Sequence, residues 1–392
     1  MDYDSILSSR ATSLKPSGIR KFFDISAQMD DVISLGVGEP DFQTPWHIRN
    51  EGIASLEAGK TRYTANKGLE ELRKEIAVYM KRRFNVSYTK DEVLVTVGGS
   101  EAIDLAVRAI VEPGDEVLIP QPSFVCYEPI VELASGVPVI IELSADNDFV
   151  LTAEQIEQKI TPKTKAIVVP YPCNPTGAIM KKDALESIAK VIKKHNLMVI
   201  SDEIYAELTY GGIKHTSIAT IDGMWERTVV ISGFSKTYSM TGWRLGFAVA
   251  PAPVIALMTK IHQFAIMSAP TTSQYAAIEA LKNGDRDIES MLEEYDQRRR
   301  IIVDGFRKIG MECFEPLGAF YVFPCIRSSG LSSDEFCERL LYSKKVAIVP
   351  GNAFGKCGEG FARASYCYSV EHIKEALKRI GEFLEELRAE KK

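Results

Sequence analysis

AIVVPYPCNPTGAIMKKDALESIAKVIKKHNLMVISDEIY, residues 166–205, decides the fold. It opens on a β-branched run, AIVV (166–169), and passes through a helix-like segment, DALESIAKVIKKH (183–195). It closes on a second run, LMVIS (197–201). Runs of Val and Ile without polar alternation are what strands buried on both faces look like. A strand, a helix and another strand in succession predict a parallel pairing with the helix laid across it. Outward from this unit the alternation continues. VLVTV (93–97) precedes SEAIDLAVRAIV (100–111), where Ala102, Leu105, Ala106, Ala109 and Ile110 recur at helical spacing. VLI (117–119) follows the turn signal PGD, and TVVIS (228–232) and GFAVA (246–250) complete the series. The fold class is α/β: a mostly parallel sheet flanked by helices.

The C-terminal third reads differently. YDQRRRIIVDGFRKIG is amphipathic, while AFYVFP and VAIVP look like strands. The chain closes on SVEHIKEALKRIGEFLEELRAEKK, with Ile373, Leu377, Ile380, Leu384 and Leu387 on one helical face and a solvated, charge-rich end. This mix predicts a separate, smaller α+β domain, with the boundary in the helical stretch around 280–300. Length alone, 392 residues, suggests two or three domains. The expected division is a large domain over 45–290 and a discontinuous small one from 1–44 and 291–392.

Composition narrows the function classes. Hydrophobic residues make up 45% and charged residues 26%, which excludes a disordered chain, a fibre and a disulfide scaffold. The balance of 47 basic against 53 acidic residues gives −6, which argues against nucleic acid as partner. MDYDSILSSR has no secretory pattern. The longest uncharged apolar stretch, Leu245 to Thr259, holds Pro251 and Pro253 and is shorter than the roughly 20 residues that span a membrane. Seven scattered cysteines without a CxxC predict a reduced, cytoplasmic setting, and Asn85-Val86-Ser87 is then a chance glycosylation match. The five histidines are dispersed, so no metal is expected. GNAFGKC (351–357) lacks the spacing of a phosphate loop, and GVGEPDF lacks the third glycine of a dinucleotide fingerprint.

In open α/β sheets ligands sit beyond the carboxyl ends of the strands. After 93–97 comes Gly98-Gly99-Ser100-Glu101; after 166–169, PYPCNPTG with Asn174; after 197–201, Asp202-Glu203-Ile204-Tyr205; after 228–232, GFSKTYSMTGWRLG with Lys236 and Arg244. Each alone is ordinary: a helix cap, a turn, a surface acid, an exposed lysine. Together they specify a phosphorylated aromatic aldehyde with a protonatable ring nitrogen. The helix end would take the phosphate, Lys236 the aldehyde and Asp202 the nitrogen.

The order and spacing of these residues resemble the fold-type I pyridoxal 5′-phosphate enzymes, specifically the class I aminotransferases. The lysine segment GFSKTYSMTGWRLG carries the likeness, with SLGVGEPDF (34–42), RYTANKGLEELR (62–73), NPTG (174–177), SDEIY (201–205), GAFYVFP (318–324), VPGNAFG (349–355) and FARASY (361–366). It spans nearly the whole chain and is closest to the archaeal and bacterial aromatic and aspartate aminotransferases. The resemblance implies a seven-stranded, mostly parallel sheet and a smaller domain. It implies that Lys236 holds the cofactor covalently and then shuttles a proton, and that Asp202 keeps the pyridine nitrogen protonated. Tyr205 and Asn174 would hydrogen-bond the phenolate oxygen. Gly99, Ser100 and the Glu101 backbone would bind the phosphate with Arg244. Phe124 would stack on the ring. The serine usual three residues before the lysine is Gly233 here, with Ser232 and Ser235 as alternative substitutes. Arg363 would bind the substrate α-carboxylate, assisted by Asn174 and the backbone near Gly38. Tyr63 would reach the partner subunit's cofactor in a homodimer with shared active sites.

The implied reaction is a ping-pong transfer of an amine from an amino acid to a 2-oxo acid such as 2-oxoglutarate. A carbon–sulfur β-lyase is the alternative on the same cofactor. A cofactor-sensing regulator is the reading from another class, against which stand the short stretch before the first motif and the lack of basic surplus. HQFAIMSAPTTSQYAA (262–277) lies where dicarboxylate-specialised relatives place a partner-subunit arginine, and it holds no Arg or Lys. Aromatic substrates are therefore expected, with aspartate as rival. Ile19, Arg20 and Phe23 are further candidate substrate contacts.

Overall fold

The computed structural model describes residues 1, 3, 5–16, 18 and 29–390. Ile19, Arg20 and Phe23 lie outside the described residues. In chain order the strands are β1 (Ile33–Ser34), β2 (Val93–Thr96), β3 (Glu116–Gln121), β4 (Val137–Glu142), β5 (Thr164–Val169) and β6 (Met198–Asp202). There follow β7 (Thr228–Gly233), β8 (Gly246–Val249), β9 (Tyr321–Val322), β10 (Val346–Ala347), β11 (Val349–Pro350) and β12 (Ala362–Ser365).

β2 to β8 form one seven-stranded sheet in the order β2-β8-β7-β6-β5-β3-β4. β3 to β7 run parallel, while β8 is antiparallel to both of its neighbours. Successive side chains of a strand point to opposite faces, and both faces here are apolar. Ile167 and Val199 pack with Leu185, Ile188 and Ile192 of the helix Lys182–Lys194. Val168 and Ile200 pack on the opposite face with Ala102, Leu105 and Ala106 of the helix Gly99–Ile110. Each such buried Val, Leu or Ile side chain stabilises by about 1.5–3 kcal/mol, so the frame under the strand ends is firm.

β4 has no counterpart in the sequence reading. It is the sheet's edge, half-buried along most of its length, and carries Pro138, a residue that edge strands accommodate readily. VAIVP divides at Ile348: its first half, β10, pairs with β1, and its second half, β11, pairs with β12. The apolar stretch from Leu245 also divides. Its first part is β8, and Pro251 and Pro253 stand at the start of the helix Ala252–Ala265, where a missing N–H costs nothing. Among the described residues no helix is long and apolar enough to cross a membrane.

A separate apolar cluster joins Leu35, Phe320, Tyr321, Val346 and Ala362 to the C-terminal helix Val370–Glu390. All five helix-face residues picked out by their spacing are in it: Ile373, Leu377, Ile380, Leu384 and Leu387.

Candidate active site

The carboxyl ends of the parallel strands and the amino end of β8 open onto one cavity of about 320 Å³, a size suited to a small molecule. β2 leads through Gly98 into the helix Gly99–Ile110, which has no side-chain cap. Its first N–H groups are therefore free to meet an anion. Gly99 and Ser100 line the cavity; Glu101 does not. The Glu101 carboxylate turns back to accept from the Val97 N–H and to pair with His262 Nδ1 at 2.6 Å. Arg244 lies beside this helix end, in the left-handed region with φ 51°, and Nη1 donates to the Thr241 carbonyl at 3.1 Å. Such a conformation is uncommon for arginine and tends to persist where a side chain must be aimed.

β6 ends on Asp202, buried at the floor of the cavity. Burial pushes its carboxyl up from the ordinary value. The Tyr127 hydroxyl, donating to Oδ2 at 2.7 Å, and the Ile204 N–H, donating to Oδ1 at 3.2 Å, pull it back. A cationic ring nitrogen placed here would be worth more than in water, because both charges sit in a low-dielectric enclosure.

β7 runs into a short turn of helix, Phe234–Thr237, which presents Lys236. Its Nζ donates to the Gly38 carbonyl at 2.7 Å. Desolvation lowers the ammonium pKa to about 8, and the nearby Arg363 and Arg244 push the same way. The neutral amine, the form that attacks a carbonyl, dominates above that value. Capture of an added aromatic aldehyde should therefore slow about tenfold per pH unit below 8 and level off above it. Stopped-flow absorbance checks this, and a midpoint near an ordinary lysine's would contradict it. Gly233 also finds its reason: a Cβ there would lie 2.9 Å from Gly246 Cα across the β7–β8 pair, so no serine fits. Of the two substitutes, Ser235 lines the cavity, whereas Ser232 Oγ faces the Glu203 carbonyl at 3.5 Å.

Arg363, on β12, is 3% exposed. Nη1 donates to Asn174 Oδ1 at 2.9 Å and Nη2 to the Gly36 carbonyl, while Nε is buried without a partner among the described residues. Burial lowers its pKa, so an arriving carboxylate would be drawn strongly to it. The Tyr321 and Phe354 rings flank the guanidinium at 4.5 and 4.8 Å. Asn174, with its oxygen turned to Arg363, has its N–H₂ group left to donate elsewhere. The Tyr205 hydroxyl meets the Tyr321 hydroxyl at 2.9 Å.

The cavity thus gathers Gly38, Gly99, Ser100, Phe124, Asn174, Asp202, Tyr205, Lys236, Arg244 and Arg363. Of the backbone near Gly38, it is the Gly36 carbonyl that reaches Arg363. Tyr63 stands apart, 81% exposed on the protein surface. Tyr127 and Tyr321 went unmarked in the sequence. The available signal for Tyr127 was its place three residues after Phe124, at the start of the helix Tyr127–Leu133 that follows β3, and the two rings meet edge to face at 6.0 Å. The donor set fits pyridoxal 5′-phosphate: an uncapped helix end with an arginine for phosphate, a lysine with lowered pKa for an aldehyde, and a buried carboxylate for a ring nitrogen.

The aminotransferase class I and II family matches residues 30–380. YugH of Bacillus subtilis strain 168, whose name places it among the aminotransferases, is 54% identical over 97% of this chain and 98% of its own. The aspartate aminotransferase of Pyrococcus abyssi is 45% identical over 97% of this chain and 98% of its own. The crystal structure of the aromatic aminotransferase from Pyrococcus horikoshii superposes with a TM-score of 0.90 at 42% identity, covering 94% of this chain and 99% of that one. The architecture is fold-type I, and the sheet whose strand ends build the cavity is the one these enzymes share. From residue 30 to residue 380 the match is continuous with the site just described, and the chain belongs to the class I and II aminotransferases.

Proposed function

We propose that this aminotransferase depends on pyridoxal 5′-phosphate and moves the amine of an aromatic amino acid to a 2-oxo acid such as 2-oxoglutarate, in a ping-pong cycle. The observation that carries it is the convergence of Lys236, Asp202 and Arg363 on one cavity. When bound, the cofactor supplies an electron sink for the negative charge that develops at the substrate Cα. Arg363 holds the α-carboxylate, and the ring contacts of Tyr321 and Phe354 keep its guanidinium in place. Lys236 Nζ, mainly neutral above about pH 8, would take the Cα proton and return it to the carbon on the far side of the transferred nitrogen. Asp202 holds the proton on the ring nitrogen, and Tyr127 orients that carboxylate. Asn174 and Tyr205 would donate to the ring's phenolic oxygen, Phe124 would pack on the ring, and Gly99, Ser100, Glu101 through its backbone, and Arg244 would take the phosphate.

Aromatic preference is supported by the charges lining the cavity. Among the described residues these cations are Lys236, Arg244 and Arg363, each with a role already, so none is left for a side-chain carboxylate. Burying a second carboxylate unpaired would be costly. The rival, aspartate, has support in the Pyrococcus abyssi relative. Comparing kcat/KM for tyrosine, phenylalanine and aspartate with 2-oxoglutarate decides between them, and a strong aspartate preference would sink the aromatic reading. Supplying one amino acid without acceptor should yield a single equivalent of 2-oxo acid per subunit; continuous release of pyruvate and thiol would mark a carbon–sulfur β-lyase instead.

The same reading takes the working unit to be a cytoplasmic homodimer, its subunits divided at residues 45–290 against 1–44 and 291–392. Support for the dimer is the exposure of the large apolar side chains Trp46, Leu56, Phe264, Ile266 and Met267, which a subunit contact would cover. Tyr63 sits beside it, on a loop tied down by Asn66 to the Met267 carbonyl and by Thr271 to the Arg62 carbonyl. If Tyr63 serves the partner's site, mixing the separately impaired Tyr63→Ala and Lys236→Ala chains should restore activity toward about a quarter of the wild-type level, since half the dimers would then hold one intact site. No recovery on mixing would refute sharing. The apolar cluster around Leu35 and the C-terminal helix, which takes only Tyr205, Leu208 and Tyr210 of its buried members from 45–290, supports the division, and seven free thiols support a reducing compartment.

A further inference from the structure

Glu101 poses an electrostatic problem at the end of the helix Gly99–Ile110. On the reading above, which this inference rests on, that helix end receives a phosphate, and a carboxylate in the same first turn would repel it. The chain keeps the charge but turns it away. Gly99 and Ser100 line the cavity, and Glu101 does not. One carboxylate oxygen accepts from the Val97 N–H, and the other lies 2.6 Å from His262 Nδ1.

His262 belongs to the helix Ala252–Ala265, which packs against the helix Gly99–Ile110, and its side chain has no exposed surface. Its Nε2 is buried with no hydrogen-bond partner among the described residues. A buried imidazole with one orphaned nitrogen is an expensive way to fill space. An aliphatic side chain would fill it without that penalty. The ring's polar connection is to Glu101, and bonding a carboxylate through Nδ1 puts the proton on that nitrogen.

We infer that His262 is a positioning residue of the phosphate site: it holds the Glu101 carboxylate back against Val97 so that an anion can occupy the helix end. Gln at position 101 would still accept from Val97 but carry no charge. The account therefore makes a double-variant prediction that a packing role does not share. In the cofactor-stripped full-length chain, His262→Leu weakens both pyridoxal 5′-phosphate, read by absorbance titration, and inorganic phosphate, read by calorimetry, by about tenfold or more. His262→Leu with Glu101→Gln returns both to within about threefold of wild type, and His262→Asn, which keeps an N–H donor in the same region, stays close to wild type.

Glu101→Asp gives a second arm should the leucine variant fail to fold. Aspartate is well accepted in a first helical turn, but one methylene shorter it cannot span Val97 and His262, and its freed charge weakens phosphate binding comparably. Unchanged binding in a folded His262→Leu or in Glu101→Asp overturns the inference, as does a double variant no tighter than the single. A wild-type chain that fails to take up pyridoxal 5′-phosphate at all overturns the functional reading instead.

Discussion

Lys236→Ala is expected to lose at least about four orders of magnitude in turnover while keeping its fold. The loss is large because one nitrogen has two jobs. It captures the aldehyde, and it carries the proton at the substrate Cα. No neighbour can replace it. The guanidinium groups of Arg244 and Arg363 are too weak as nucleophiles to take its place, and the Cys367 thiol, close enough to influence Lys236, has been pushed up to about 12 by burial. The fold survives because the alanine removes a half-buried side chain whose hydrogen bond is to the Gly38 carbonyl, on an irregular segment. Circular dichroism should match wild type, and amine transfer measured with coupled detection of 2-oxo acid should be at background. Retained turnover would refute the assignment of Lys236.

Asp202→Asn comes second. An amide in this position keeps the shape, and its oxygen can still accept from the Ile204 N–H while its N–H₂ faces the Tyr127 hydroxyl, but it cannot pair a protonated ring nitrogen. Because the site is buried, the lost ion pair is not replaced by water, and kcat should fall by roughly 10³-fold with KM little changed. The sign follows from burial. Desolvation already disfavours the charged carboxyl in the free chain, so a cation opposite it draws the Asp202 pKa down as the cofactor binds. Linkage then requires cofactor affinity to fall as pH drops through the carboxyl's free-chain pKa, and this dependence should vanish in Asp202→Asn. Titration of the cofactor-stripped chain at several pH values measures it. An unchanged pH dependence in the variant would contradict the role.

The strand runs were legible because burial on both faces leaves no polar alternation, as in Val168 and Val169 or Val199 and Ile200. The residues following those runs were legible because an open sheet delivers its loops to one edge. What stayed hidden depended on angles and distances. β4 carries a proline and half-exposed residues, so its composition resembles a loop. Tyr127 could be placed near Phe124, but not with its hydroxyl 2.7 Å from Asp202. The choice between Ser232 and Ser235 turns on one being inside a strand, facing Glu203, and the other on the turn beyond it. Nothing in GGSEA announces that the Glu101 side chain folds away from the helix end it helps to form.

The stretch from Gly36 to Asp41 crosses the site on its backbone. Gly36 and Gly38 give carbonyls to Arg363 and Lys236, while Glu39 and Asp41 anchor it to Thr241 and Arg298. Carbonyls are common to every amino acid. The two contacts that touch the chemistry are therefore written in the path of the chain, and side-chain drift along this stretch leaves them standing as long as the anchors hold that path. Gly38 is the exception, since any Cβ there would fall 2.2 Å from the Tyr321 hydroxyl. Mutational tolerance in this segment should be higher at the half-exposed Val37 and nil at Gly38, a pattern opposite to that of a loop which binds through its side chains.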